Sequence, residues 1–160
     1  MKKLNHNKGF TIIEVMVGIG VILVGFAGTI TLINKSLAFH DLAYSRLTAS
    51  YLAQEGIEIV RNLRDNNFIQ NRTWNDGLSP GTYQVQYNSL QLMDYSGENL
   101  LIDPVTNLYN YDSGNLTRYN RRIVIEQISS EEIRVTSIVQ WYNRGGNFDI
   151  RVEDHLFNWL

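Results

Sequence analysis

Lys8-Gly9-Phe10-Thr11-Ile12-Ile13-Glu14 opens a segment that stays apolar as far as Ile33. One acid, Glu14, interrupts it. The nineteen residues from Val15 to Ile33 hold no charge and no proline. As a helix rising ~1.5 Å per residue, 10–33 would extend roughly 36 Å, enough to cross a hydrocarbon layer of about 30 Å. A carboxylate in such a helix costs on the order of 2.5–3.5 kcal/mol at the centre of a bilayer and less near an end. It therefore reads as a functional group in need of a partner.

The flanks predict an orientation. Residues 1–9 carry Lys2, Lys3 and Lys8 and no acid, whereas Lys35, Asp41 and Arg46 beyond the segment are mixed. The lysine excess predicts a cytoplasmic N-terminus, with everything after residue 33 on the other side. An ordinary cleaved secretory signal fits poorly. Its apolar core is shorter, and it ends in a small-x-small site that is missing after Ala27-Gly28.

Lys8-Gly9, then Phe10-Thr11-Ile12-Ile13-Glu14-Val15, resembles the processing site of type IV prepilins and type II secretion pseudopilins. The resemblance implies a basic leader, residues 1–9, cleaved after Gly9 by a prepilin peptidase. It also implies a new N-terminus at Phe10, typically N-methylated, with Glu14 as the fifth mature residue and the acid used in filament assembly. Physical chemistry agrees with these roles. Glycine lets a protease approach the backbone closely. The amino group freed at Phe10 is costly in lipid. A neighbour staggered by one helical turn would place its amino group beside Glu14, a buried pair that fixes register more than it adds stability.

Composition fits one globular domain and an anchor. The chain has 160 residues; removing the three leader lysines from 14 basic residues leaves 11 against 16 acidic, a net −5. That balance argues against nucleic acid as a partner. No cysteine is present, so neither a disulfide nor thiol chemistry is available. Many pilins of the family carry a C-terminal disulfide, and this chain departs from them.

Beyond Asn34 the helix is expected to continue to about Asn66, where Asp65-Asn66-Asn67 reads as a stop. Ala38, Leu42, Ser45, Ala49, Leu52, Gly56, Ile59 and Leu63 form one face at helical spacing, half of it small. The alternative is two helices broken near Asn34. Gly18, Gly20, Gly25 and Gly28 weaken the apolar half and suit close packing of helices.

Past residue 68 the period becomes two. Gly81–Tyr87 alternates with Tyr83, Val85 and Tyr87 on one face. Asp94–Gly114 reads as a long irregular loop. Arg118–Ile128, Ile133–Tyr142 and Phe148–Val152 read as strands, with a glycine-based hairpin turn at Arg144-Gly145-Gly146-Asn147. The expected fold class is α+β and pilin-like: a long N-terminal helix, transmembrane then soluble, packed on a three- or four-stranded antiparallel meander. The expected organisation is a leader at 1–9, the membrane half of the helix at 10–33, its soluble half at 34–68, and a β-sheet domain at 69–160 with the long loop 94–114.

Tyr51-Leu52-Ala53-Gln54-Glu55-Gly56-Ile57-Glu58 with Arg61-Asn62-Leu63-Arg64-Asp65, and an ending from Val139-Gln140-Trp141 through the Gly-Gly turn to Trp159, resemble minor pilins of the PilV kind and I-type minor pseudopilins. That resemblance implies a minor structural subunit of a type IV pilus-like or type II secretion filament. It implies a single pass through the cytoplasmic membrane, then a place in a surface or periplasmic filament. Its partners would be other pilins, prepilin peptidase and membrane lipid, with no small-molecule substrate. The competing classes are a pilus-tip binding subunit using the 94–114 loop and an anchored domain that never assembles.

Other sites read weakly. His6, His40 and His155 have no ligand spacing, so no metal or cofactor is expected, and no nucleophile–base pair suggests catalysis. Asp94-Tyr95-Ser96-Gly97-Glu98 and Asp112-Ser113-Gly114-Asn115 read as turns before calcium loops. Arg118, Arg121 and Arg122 read as a solvated strand edge.

Overall fold

The computed structural model describes residues 9–158. The leader stretch 1–8, with Lys2, Lys3, His6 and Lys8, and the terminal Trp159 lie outside the described residues. The chain divides into two compact units, Met1–Ala43 and Tyr44–Leu160.

A single helix, α1, is assigned over Ile12–Ile69, with no break at Asn34. In the first unit its apolar side chains are uncovered: Ile12, Val24 and Leu32, for example, are all exposed. The Thr29 and Thr31 hydroxyls donate to the carbonyls of Gly25 and Ala27, each at 3.0 Å, so neither presents an unmet donor along this apolar stretch.

In the second unit α1 buries Ser45, Ala49, Leu52, Ala53, Gly56, Ile57, Ile59, Val60, Arg64 and Asn67. The small-residue face is thus real from Ser45 to Ile59, with Leu63 packed at its margin. The helix runs past Asp65-Asn66-Asn67. Asn71 takes φ 53°, Arg72 N–H donates to Asn67 O at 2.8 Å, and Asn71 N–H to Phe68 O at 3.0 Å. These bonds close the last turn on a left-handed asparagine, about one turn beyond the expected stop. Asn67 is then free to fasten the exit: its Nδ2 donates to Trp74 O and Asp76 O.

Eight strands follow: β1 Gly81–Gln84, β2 Met93–Asp94, β3 Leu101–Ile102, β4 Tyr109–Asn110, β5 Asn115–Leu116, β6 Tyr119–Ser129, β7 Glu132–Asn143 and β8 Gly146–Phe157. They make a five-stranded antiparallel sheet, β2-β1-β6-β7-β8, and a three-stranded one, β4-β3-β5. The architecture is α+β, a long helix on antiparallel sheets. The expected meander is β6-β7-β8; β1 and β2 widen it beyond the three or four strands expected.

The β7–β8 turn follows the sequence reading. Arg144 and Gly145 have φ 43° and 83° between the paired Asn143 and Gly146. Positive φ at both central residues matches the right-handed twist of the strands. The reading of Gly81–Tyr87 fails after Gln84. Val85 is buried but Tyr87 is exposed, because the chain leaves the sheet to make a turn around Gln86, whose N–H bonds Ser89 Oγ at 2.9 Å.

The stretch 94–114, expected as a long irregular loop, is irregular except for the two-residue strands β3 and β4 and the end of β2. Leu100 is fully buried; its N–H donates to Tyr119 O at 2.8 Å and its carbonyl accepts from Thr117 N–H at 3.0 Å. Gln86 clamps the small sheet: its Oε1 accepts from Tyr111 N–H and its Nε2 donates to Asp112 Oδ2. Gly114, at φ 126°, brings its Cα so near that a Cβ would lie 2.3 Å from Ile102 O. Strands of two residues are too short to leave a periodic signal.

Two apolar clusters lie between helix and sheet. Ala49, Leu52 and Ala53 pack with Leu100, Tyr119, Val139 and Trp141. Ile57 and Val60 pack with Ile123, Ile125, Ile133, Val135 and Leu156. Arg61 reaches Asp154 on β8 at 2.7 Å. Helix and sheet come nearest at Gly56, where a Cβ would lie 2.5 Å from Ser137 Oγ and 2.8 Å from Ile123 Cδ1.

The arginine cluster is corrected by the structure. β6 is an interior strand, and Arg121 shares the buried parity of Tyr119, Ile123 and Ile125. Its Nη1 donates to Leu52 O (2.9 Å) and Glu55 Oε2 (2.5 Å), and its Nη2 to Val85 O (2.5 Å). Tyr111 O–H donates to the Arg121 carbonyl at 3.0 Å, and burial raises the Tyr111 phenol above its usual range. One side chain therefore ties β6 to α1 and to the segment that leaves β1.

Candidate functional site

The N-terminal site is built on the first turn of α1. Gly9 and Phe10 precede the helix and are exposed; a Cβ at Gly9 would meet nothing within 4 Å. Thr11 caps the helix: its Oγ1 accepts from Glu14 N–H at 3.3 Å, and its carbonyl from Val15 N–H at 3.2 Å. Glu14 is the only acid in that turn, where the positive end of the helix dipole favours a carboxylate.

The sequence reading singled out Glu14 as an acid among apolar residues and passed over Thr11. The signal was there, since Thr-x-x-Glu ahead of an apolar run is a capping signature. The glycines of this segment have open surroundings too. A Cβ at Gly18, Gly20, Gly25 or Gly28 meets nothing within 4 Å, so no contact among the described residues requires their small size.

The other candidates stay apart. His40 lies on α1 and His155 on β8. Among the described residues, no three His, Cys, Asp or Glu side chains come together as a metal site. Asp103 serves its own turn: it accepts the N–H groups of Val105 and Thr106, and the Thr106 bond above all holds its carboxyl below the ordinary range.

His155 sits on the outer face of the sheet in a carboxylate bracket. Its Nδ1 lies 2.5 Å from Glu132 Oε1 and its Nε2 3.4 Å from Glu153 Oε1. Arg134 opposes it across the β7–β8 ladder. The carboxylates prevail: the Glu132 hydrogen bond raises the His155 pKa above its ordinary value. A raised folded pKa means that the stabilisation is complete below the unfolded value of about 6.5 and fades as pH rises through the folded value. The His155 ring signals should titrate with a midpoint above about 6.5, and Glu132→Gln should bring it back down. An NMR titration that leaves the midpoint unmoved by Glu132→Gln would refute the bracket.

A family model for the prokaryotic N-terminal methylation motif matches residues 4–30, the span that contains Gly9, Phe10 and Glu14. Together with a long apolar-to-amphipathic helix on antiparallel sheets, this motif supports a likeness to type IV prepilins and pseudopilins. The motif indicates a pilin-like protein of the kind that prepilin peptidase processes. No curated protein and no solved structure matches the chain.

Proposed function

We propose that this chain is a minor structural subunit, a minor pilin or pseudopilin of the PilV-like or I-type kind, in a type IV pilus-like or type II secretion filament. The observation that carries the reading is the uncovered apolar helix from Ile12 to Ile33, with one acid in its first turn. Such a surface needs lipid first and neighbouring helices afterwards. The open glycines let those neighbours approach closely. The lysines of the leader set the N-terminus in the cytoplasm and the sheet domain outside. Cleavage after Gly9 frees the amino group of Phe10, and methylation follows on that nitrogen. Thr11 holds the first turn, so Glu14 is presented at a fixed height to the amino group of the next subunit. Other pilins or pseudopilins are the partners. The Tyr51–Asp65 motif and the Val139–Trp141 ending support the subtype.

Glu14→Gln tests assembly. The variant should insert in the membrane as wild type does, since a neutral residue is cheaper in lipid. Its share in sheared filaments, normalised to the membrane pool, should fall at least tenfold. Removing one member of a buried pair costs about 3–5 kcal/mol, more than enough for that loss. Equal recovery of both proteins would overturn the pairing role.

A further inference from the structure

The hairpin end of the large sheet carries a groove of about 380 Å³. A registered row of polar side chains crosses it. Asn120 on β6 pairs with Gln140 on β7, and Gln140 with Asp149 on β8. Alternation places these three opposite to the α1 side. Side chains directly opposed on neighbouring strands sit about 5 Å apart, so the row spans about 10 Å. Tyr142 opposes Asn147 in the next row of the same face, with the residue 61% exposed.

The row is pre-organised. Asn120 Nδ2 donates to Gly97 O and Glu98 O, and its Oδ1 accepts from Tyr95 O–H at 2.6 Å. Arg151 Nε donates to Asp149 Oδ2 at 2.9 Å.

Charge narrows the ligand class. Asp149 is ion-paired with Arg151, and the Arg118 guanidinium donates to Ser45 on α1, so neither an anion nor a cation is favoured. The groove offers planar amides, carboxylate oxygen and aromatic surface. Fixed donors and acceptors beside a ring face suit a ligand with several hydroxyls and one apolar face. We propose that this groove binds a neutral saccharide, with Gln140 and Asp149 hydrogen-bonded to its hydroxyls and Tyr142 stacked on its C–H face.

The test uses the full chain in a zwitterionic, sugar-free detergent. The probes are lactose, maltose and N,N′-diacetylchitobiose, with sialyllactose as the charged comparison, read by saturation-transfer NMR. At least one neutral disaccharide should bind at about 1–10 mM or tighter. Gln140→Ala and Tyr142→Ala should each weaken it roughly fivefold or more, with the melting temperature unchanged. Binding by none of the neutral probes, binding by sialyllactose alone, or unchanged binding in both variants would overturn the proposal. Because it shares no residue with the Glu14 pairing, either idea can fail without the other.

Discussion

Arg121→Ala should lower the unfolding free energy of the sheet domain by about 3 kcal/mol and its melting temperature by roughly 10 °C. The side chain is fully buried, and its loss removes a donor from Leu52 O and from Val85 O at once. Glu55 is less exacting. Its side chain is 32% exposed, so water can replace the arginine there, and the loss sits at the low end for a broken buried pair. Glu55→Gln should accordingly cost no more than about 1 kcal/mol. Arg121→Lys should fall close to alanine, because a point-like ammonium cannot reach both carbonyls as the guanidinium fork does. Thermal melting of the three variants checks the ranking. An Arg121→Ala protein melting with wild type would show that β6, α1 and the segment after β1 hold without this tie.

Processing should show the other large effect. Coexpression with a prepilin peptidase is expected to shorten the wild-type chain by the nine leader residues and leave Phe10 first. Gly9→Val should abolish that cleavage. Nothing inside the chain opposes the valine, since the space around Gly9 is open. The block would therefore come from crowding of the scissile backbone in the peptidase, not from misfolding of the substrate. Intact-mass analysis gives the answer. Cleavage beyond residue 25 in the wild type would mean an ordinary secretory signal and would remove the basis for filament assembly.

Much of this fold was legible because the residue pattern and the geometry obey the same period. The face from Ser45 to Ile59 is apolar or small at helical spacing, and it is the buried face. Arg144-Gly145 sits between two alternating runs, and it is the tight turn. Arg121 was misread because residue type was allowed to outweigh parity. Tyr119, Ile123 and Ile125 already marked odd positions as inward, and an arginine among them was either an error of register or a buried tie. The small sheet of Leu101–Ile102, Tyr109–Asn110 and Asn115–Leu116 had no such marker. Its order comes from Gln86, Leu100 and Gly114, through contacts that local sequence does not announce. At the N-terminus, attention to the charge of Glu14 hid the simpler role of Thr11, which was written three residues before it.

The close approach at Gly56 has a consequence for how this protein can change over time. The helix backbone, the Ser137 hydroxyl and the tip of Ile123 share one small volume. Ser137 Oγ is itself buried without a hydrogen-bond partner among the described residues, so the hydroxyl is held there by space, not by bonding. The three positions cannot drift independently. A relative with alanine at 56 should carry a smaller residue at 137, a shorter one at 123, or both, and the substitutions should appear together. Helix and sheet are thereby tied in their sequence history at one point, even though most of the surface around them is free to vary.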